Sequence, residues 1–179
     1  PAARADYRRE VVRWLDHSCK RCGTGIMEEP PVVVGMQHYE KPVVDRLEAA
    51  GEWRAETDWP APGAGELELH LGAGGTLADA AAPEGTDTFE YVATVGVMGG
   101  LWSGGLQFGL PGDQRPDEAF SLVYSSSPLE EDVHVLGRPR AVLHVASTAS
   151  VIGFAASLSD VAPDGTSHLV AKGMLNATR

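Results

Sequence analysis

Short runs of alternating apolar and polar residues, separated by Gly, Pro and Asp, fill the chain after residue 62 and constrain its fold more than any other feature. Residues 67–71 alternate strictly, and a period of two places every second side chain on the same face of a strand. Helical periodicity is absent from this part of the sequence. We therefore expect a mainly β fold, an antiparallel β-sandwich with long loops at its ends. The predicted strands are residues 67–71, 89–97, 120–124, 133–136, 141–147, 154–161 and 168–175.

The last two predicted strands are joined by residues 162–166, with the sequence APDGT. The Asp164-Gly165 pair supplies the positive φ that a tight turn requires. The sequence therefore predicts a β-hairpin at this place.

Residues 5–22 carry one amphipathic α-helix ahead of the β region. Apolar side chains recur every three to four residues at Tyr7, Val11 and Trp14, with charged residues between them. Gly23 and Gly25 are expected to end the helix. A single helix cannot bury its own apolar stripe, so this face should pack against a partner, in the same chain or in another.

The residues that follow the helix are expected to form a connecting segment that crosses the surface of the protein. Residues 32–34 predict a short buried strand, and residues 41–50 predict a short helix stopped by Gly51. Trp53 and Trp59, set among polar and Pro residues, are expected to hold this segment in place as aromatic contacts.

Acidic residues outnumber basic ones: 25 Asp and Glu against 14 Lys and Arg give a formal net charge of −11 over 179 residues. Such a chain repels phosphate backbones and anionic lipid surfaces. No apolar run approaches the roughly 20 residues that cross a bilayer. We expect neither nucleic acid nor a membrane as a partner, and we leave the compartment open, with the cytoplasm preferred.

Catalytic and metal-binding patterns are missing from the sequence. No G-x-S-x-G is present, and residues 100–104 (GLWSG) have the wrong spacing for a nucleophile elbow. Cys19-x-x-Cys22 lacks the second ligand pair of a zinc site and lies at the C-terminal end of a helix rather than at its N-terminus, so core or incidental cysteines are expected. We predict no catalytic residue, no metal and no cofactor in this chain. The histidines are scattered singly, at His17, His38, His70, His134, His144 and His168.

A long glycine-rich stretch, residues 96–115, carries large apolar side chains that a solvated loop would normally avoid. Such a loop is either tucked over the core of its own domain or presented to a neighbouring site. From the residues alone both alternatives stand.

A series of short motifs runs colinearly over nearly the whole chain. They are residues 13–17 (RWLDH), 24–32 (TGIMEEPPV), 52–54 (EWR), 59–60 (WP), 112–116 (GDQRP), 124–133 (YSSSPLEEDV), Gly137, 147–148 (ST) and 160–165 (DVAPDG). Each motif is weak alone, but in this order they resemble the C-terminal part of the CocE/NonD hydrolases, a family of esterases, α-amino-acid ester hydrolases and X-Pro dipeptidyl-peptidases.

The resemblance implies a division of the chain. Residues 1–29 would hold the last helix of an α/β-hydrolase domain, residues 30–60 a connecting segment, and residues 61–179 a galactose-binding-like jelly-roll β-sandwich without its last strands. The Ser-His-Asp triad of the family would lie upstream of Pro1. The parent protein would then be a serine hydrolase acting on ester or amide bonds, including X-Pro dipeptidyl bonds, and this chain alone would be inactive.

The resemblance also gives the glycine-rich stretch a role, since the corresponding loop of the family reaches toward the acyl pocket. Leu101 and Trp102 are the substrate-binding residues that it implies. The implied partners are the α/β-hydrolase catalytic domain and a small acyl ester or peptide substrate at the domain interface. A homo-oligomer is a further possibility, because missing strands would leave unpaired sheet edges.

Two other classes of protein compete with this interpretation. Jelly rolls of this size also occur as free-standing modules that bind carbohydrates or other ligands. A scaffold that pairs chains would use the apolar helix stripe instead. Saturable binding of oligosaccharides would favour the module.

Overall fold

The computed structural model describes residues 6–43, 46, 48–97, 99 and 110–178. The prediction of a mainly β chain preceded by one helix is confirmed, with antiparallel strand pairs as expected. The jelly-roll arrangement of the strands remains a prediction. The described elements are α1 (Tyr7–Lys20), a short 3₁₀ helix (Ile26–Glu28), β1 (Val32–Gln37), β2 (Gly51–Glu56), β3 (His70–Gly72), β4 (Thr76–Ala78), α2 (Arg115–Glu118), β5 (Gly153–Val161) and β6 (Ser167–Asn176).

Helix α1 forms where the apolar spacing predicts it. The Asp6 side chain caps its N-terminus by accepting a hydrogen bond from the backbone N–H of Arg9 at 3.3 Å. The helix ends at Arg21, which adopts a left-handed φ of 56° while the N–H of Cys22 donates to the carbonyl of Asp16. The expectation that glycines end the helix was wrong, because a non-glycine residue supplies the left-handed turn.

The apolar stripe of α1 has no cover among the described residues of the chain. No residue of the helix is buried, and Tyr7 and Trp14 keep 72% and 51% of their surface exposed. Cys19 and Cys22 are free thiols and are exposed as well. A stripe of this kind is typical of a surface that packs against something else.

The chain divides into two compact units, of which the first comprises Pro1–Glu40 and Glu48–Gly65. Within it, Arg13 connects α1 to the following turn through ion pairs with Glu10 at 2.7 Å and with Glu29. These pairs keep the pKa of Arg13 above its usual value, with the hydrogen bond to Glu29 as the main cause.

Strands β1 and β2 form the antiparallel sheet of the first unit, with Val32 opposite Glu56 and Gln37 opposite Gly51. The strand predicted at residues 32–34 is therefore confirmed and extended, but the expectation that it is buried was wrong, since Val33 keeps 50% of its surface exposed. The described part of residues 41–50 contains no helix, and Gly51 begins a strand rather than stopping one. A side chain at Gly51 would place its Cβ 2.3 Å from the carbonyl oxygen of Met36, so the close approach of the two strands requires glycine.

The second unit comprises Lys41–Leu47 and Glu66–Arg179. The hairpin of β3 and β4 is extended by Ser125, whose backbone bonds to Gly75 at 2.8 Å and to Leu77 at 2.9 Å. Of the other predicted strands, 67–71 is reduced to the short β3. The described residues of 89–97, 120–124, 133–136 and 141–147 form no strand, because an alternating sequence becomes a strand only where a neighbouring strand bonds to it.

The predicted hairpin at the end of the chain is confirmed as β5 and β6. Gly165 has a φ of 80°, its N–H donates to the carbonyl of Ala162 at 2.8 Å, and the N–H of Ala162 donates to the carbonyl of Thr166 at 3.0 Å. Thr166 and Ser167, where the turn enters β6, are almost fully buried. This turn is therefore the best-packed place in the described chain.

Burial is sparse elsewhere. Among the described residues, Ala61 and Pro111 are buried apolar residues, whereas many large apolar side chains are at least one-third exposed. The four buried polar residues are Glu56, Gln114, Thr166 and Ser167. Within the described part of the chain, no helix is long and apolar enough to cross a membrane.

Candidate functional site

The two substrate-binding residues that the resemblance implies, Leu101 and Trp102, lie outside the described residues. The structure describes where the chain enters and leaves their segment. We use the term loop junction for Gly99 and Gly112 together with Gln114 and Asp117, which hold them.

A single side-chain amide closes the loop junction. Nε2 of Gln114 donates to the carbonyl of Gly99 at 2.9 Å and to the carbonyl of Gly112 at 2.7 Å. The backbone N–H of Gly112 also donates to the carbonyl of Gly99, at 2.9 Å. Gln114 is only 7% exposed. Both amide protons are therefore used to hold the two ends of one loop together in a site shielded from water.

Asp117 holds the entry side of the loop junction from α2. Its Oδ2 accepts a hydrogen bond from the backbone N–H of Gly99 at 2.7 Å. Helix α2 is a single turn that begins at Arg115 with Pro116 in its first turn, where the missing N–H of proline costs no helical bond. This turn lets the Asp117 carboxylate and the Gln114 amide both bond to Gly99.

Gly99 fits the loop junction because it has no side chain. A Cβ at this position would lie 2.7 to 2.9 Å from three atoms of the Gln114 side-chain amide. Any larger residue would displace the amide that closes the loop.

The loop junction is fixed to the turn between β5 and β6 through Ser167. The N–H of Gln114 donates to the carbonyl of Ser167 at 3.1 Å, and the N–H of Ser167 donates to Oδ1 of Asp113 at 3.2 Å. Oε1 of Glu118 accepts from the hydroxyls of Ser167 at 2.5 Å and Ser159 at 3.1 Å. The longest hairpin among the described residues therefore supports the base of the loop.

Two carboxylates next to the loop junction are stabilised in their charged form. Nε of Arg115 donates to Oδ2 of Asp113 at 2.8 Å, and this hydrogen bond is the main reason why the pKa of Asp113 lies below its usual value. The pKa of Asp164 is lowered mainly by Lys41, whose Nζ lies 2.6 Å from Oδ2, with Thr166 adding to the effect. These groups act as hydrogen-bond acceptors at neutral pH.

The described residues around the loop junction hold the chain in place and show no catalytic arrangement. No group of three or more His, Cys, Asp and Glu side chains in the described chain could hold a metal ion. His17 lies edge-on to Trp14 at 6.4 Å between ring centroids. The absence of catalytic, metal and cofactor groups from this chain remains a prediction.

Sequence reasoning noticed residues 112–116 as a motif but missed the contacts made by Gln114, Asp117 and Glu118. A signal was present: Gln114 at the end of the glycine-rich stretch and Asp117 and Glu118 just after it surround a proline in the first turn of a helix. Such residues are well placed to satisfy backbone groups at the base of the loop.

A comparison with known protein families shows the family to which the chain belongs. Residues 24–179 match the X-Pro dipeptidyl-peptidase C-terminal non-catalytic domain. The chain therefore belongs to this family of C-terminal domains, and the resemblance to the CocE/NonD hydrolases is confirmed.

Among curated proteins, the chain is 31% identical over 180 residues to a protein of Mycobacterium bovis named as a serine esterase. The matched region covers 96% of this chain and 26% of the relative. The same figures hold for a protein of Mycobacterium tuberculosis with the same description. The chain is also 36% identical over 140 residues to the cocaine esterase of a Rhodococcus species, covering 69% of this chain and 24% of the relative. It thus spans about a quarter of the length of these relatives. No solved structure matches the chain.

Proposed function

We propose that this chain is the C-terminal region of a serine hydrolase that cleaves ester or amide bonds of acyl or X-Pro dipeptidyl substrates. Its part is to support and close the substrate pocket, while the Ser-His-Asp triad lies in another part of the polypeptide. The observation that carries the proposal is the match of residues 24–179 to a non-catalytic domain of such enzymes.

The likeness to proteins named as esterases supports the class of reaction. In that reaction an activated serine oxygen bonds to the carbonyl carbon, the alcohol or amine departs with a proton, and water then releases the acid. The present chain contains no G-x-S-x-G, in keeping with a nucleophile supplied from elsewhere. Its own residues would bind and enclose the substrate without entering the bond changes.

Leu101 and Trp102 would line the acyl pocket of the hydrolase. The closed loop junction supports this role, because a loop held at its base by a buried amide can present apolar side chains at a fixed place. The exposed stripe of α1 would pack against the α/β-hydrolase domain, which would account for apolar side chains such as Trp14 that have no cover in the described chain.

The first test is an esterase assay of the purified 179-residue chain with 4-nitrophenyl acetate and butyrate. We expect no turnover above the rate of buffer alone. Turnover that survives repeated purification would contradict the proposal, because the nucleophile would then lie in this chain. Saturable quenching of Trp fluorescence by oligosaccharides, together with inactivity, would point to a free-standing binding module instead.

The second test measures what the chain adds to a catalytic domain. The Rhodococcus cocaine esterase would be truncated before its matching region and assayed alone, and then fused to this chain. We expect the fusion to regain ester hydrolysis that the truncated enzyme lacks. The double variant Leu101→Ala, Trp102→Ala should raise KM for butyrate esters, whereas Leu143→Ala, at an exposed position distant in sequence, should leave KM unchanged.

A further inference from the structure

We infer that Gln114 is a positioning residue for substrate selection: its side-chain amide fixes the two chain ends, at Gly99 and Gly112, between which Leu101 and Trp102 lie in the sequence. The inference rests on the proposed function and deepens it. It assigns acyl-chain selectivity to a buried residue that does not itself belong to the pocket.

The chemistry of the loop junction calls for a primary amide at this position. Two backbone carbonyls, of Gly99 and Gly112, both face one nitrogen, at 2.9 Å and 2.7 Å. A neutral NH₂ group donates to both, whereas a carboxylate of the same shape has no proton to donate and would repel both oxygens. When the amide is lost, the carbonyl of Gly99 keeps its bond from the N–H of Gly112, whereas the carbonyl of Gly112 loses the donor that the buried Gln114 supplied.

The entry side of the loop junction is fixed in two independent ways. Gly99 donates its N–H to Asp117 and accepts at its carbonyl from Gln114. Its missing side chain leaves the space that the Gln114 amide fills. The direction in which the chain leaves Gly99 is therefore set by α2 and by the amide together.

The positioning role can be separated from the role in folding. The bond from Gln114 to the hairpin is made by its backbone N–H to the carbonyl of Ser167. The bonds to the loop are made by its side chain. A change confined to the side chain removes the two Gln114 bonds to the loop ends and leaves the backbone bond to β6 in place.

The first experiment measures amide hydrogen exchange at Gly99 and Gly112 in the 179-residue chain. We expect Gln114→Glu to speed exchange at both positions by at least about tenfold, the effect of losing roughly 1.4 kcal/mol of protection. Gln37→Ala, at an exposed position on β1, is the control and should leave both unchanged. Gly99→Ala displaces the same amide from the opposite side and should match Gln114→Glu.

Lowering the pH should partly restore the lost hydrogen bond in the Gln114→Glu variant, because its carboxyl group becomes protonated. Near about pH 4 the introduced carboxyl group of Gln114→Glu is largely protonated and regains one donor. We expect the exchange difference from the wild type, compared at equal pH, to shrink there. Equal differences at pH 4 and pH 7 would overturn the assignment of these bonds to the side-chain donor.

The second experiment uses the full-length hydrolase that contains this chain, assayed with 4-nitrophenyl acetate, butyrate and hexanoate. We expect Gln114→Glu to raise KM for the longer esters by about tenfold and to alter the ratio of kcat/KM between acetate and hexanoate, with kcat within about twofold. Gln37→Ala should keep the wild-type ratio.

The outcomes separate the two proposals. A wild-type protein without hydrolysis overturns the proposed function and the selectivity role with it, while the exchange data still decide the hold on the loop ends. A hydrolase whose Gln114→Glu variant exchanges faster but keeps its KM values and its ester ratio overturns the positioning role alone. Unchanged exchange at Gly99 and Gly112 overturns the inference at its base.

Discussion

The backbone N–H of Ser167 donates to Oδ1 of Asp113, which lies 54 residues earlier in the chain, at 3.2 Å. Ser167 is completely buried at the start of β6, and Asp113 lies at the exit of the glycine-rich loop. Together with the bond from the N–H of Gln114 to the carbonyl of Ser167, this hydrogen bond joins the end of the loop to the hairpin. It makes the hairpin part of the structure that holds the loop.

Asp113→Asn should destabilise the second unit by about 1 to 2 kcal/mol at pH 7, since the acceptor of Ser167 loses its charge. The figure includes the ion pair with Arg115, which solvent screens because the Arg115 side chain is about half exposed. The measurement is denaturant unfolding. Asp132→Asn, at an exposed position, is the control and should leave the midpoint unchanged.

The same carboxylate sets a pH dependence. The pKa of Asp113 is lower in the folded chain than in the unfolded one, mainly because of Arg115. The stability it contributes is therefore present above the unfolded value of about 3.9 and is lost as the pH falls through the folded value. Unfolding midpoints measured from pH 6 down to pH 2 should fall less steeply for Asp113→Asn than for the wild type. Parallel curves would contradict this.

Glu118→Ala should cost about 1 to 3 kcal/mol, because it leaves the buried hydroxyl of Ser167 without its acceptor. Glu118→Gln keeps an oxygen at the same place and should cost less. Ser167→Ala in the Glu118→Ala background should restore part of the loss, and the double-mutant cycle measures the coupling. Strictly additive losses would show that the two residues do not interact.

Arg21→Gly should stabilise α1 by about 0.5 kcal/mol, because glycine adopts the left-handed φ without steric cost. The larger conformational entropy of glycine in the unfolded state offsets part of this gain, and the figure includes that loss. Ser18→Gly, inside the same helix, should destabilise it by a similar amount. Amide exchange in the last turn of α1 measures both. If both substitutions stabilised α1, or if both destabilised it, the left-handed conformation at Arg21 would be contradicted.

Tyr124 should ionise above the usual range for tyrosine. Its hydroxyl donates to Oδ2 of Asp87 at 2.6 Å, and this bond is the main reason why the pKa of Tyr124 is raised, with burial and the charge of Asp87 adding to it. The contribution of the pair to stability is present below about pH 10 and is lost as the pH rises through the folded value. Absorbance at 295 nm follows the four tyrosines of the chain. Asp87→Asn should lower the titration midpoint of Tyr124, and Asp79→Asn should not.

Elements with local signals could be predicted from the sequence. The apolar spacing of α1 and the Asp164-Gly165 turn need no information from distant residues, and both form as expected. Strand β2 was missed because Gly51 reads as a stop signal, while its real role is to let β2 approach Met36. That role becomes visible only once two strands are paired.

The site was less accessible to sequence reasoning. The loop junction depends on Gln114 meeting Gly99 across 15 residues, which no periodicity encodes. Leu101 and Trp102 came from the family resemblance and stay a proposal, since they lie outside the described residues. Alternation at residues 141–147 indicated a strand, but a strand also needs a bonding neighbour, which the described chain does not supply there.

The loop junction has a consequence for how the family can vary. Residues 112–118 contact both the entry of the loop at Gly99 and the hairpin at Ser167. Inserting or deleting one residue in this segment would therefore displace the side chains that make these contacts. The segment between Gly99 and Gly112 is closed at its base, and doubling the length of such a loop costs only about 0.6 kcal/mol. Insertions and new side chains can therefore accumulate beyond the junction without disturbing the hairpin beneath it. Homologues should accordingly differ in loop length and composition while keeping the spacing of the seven residues 112–118.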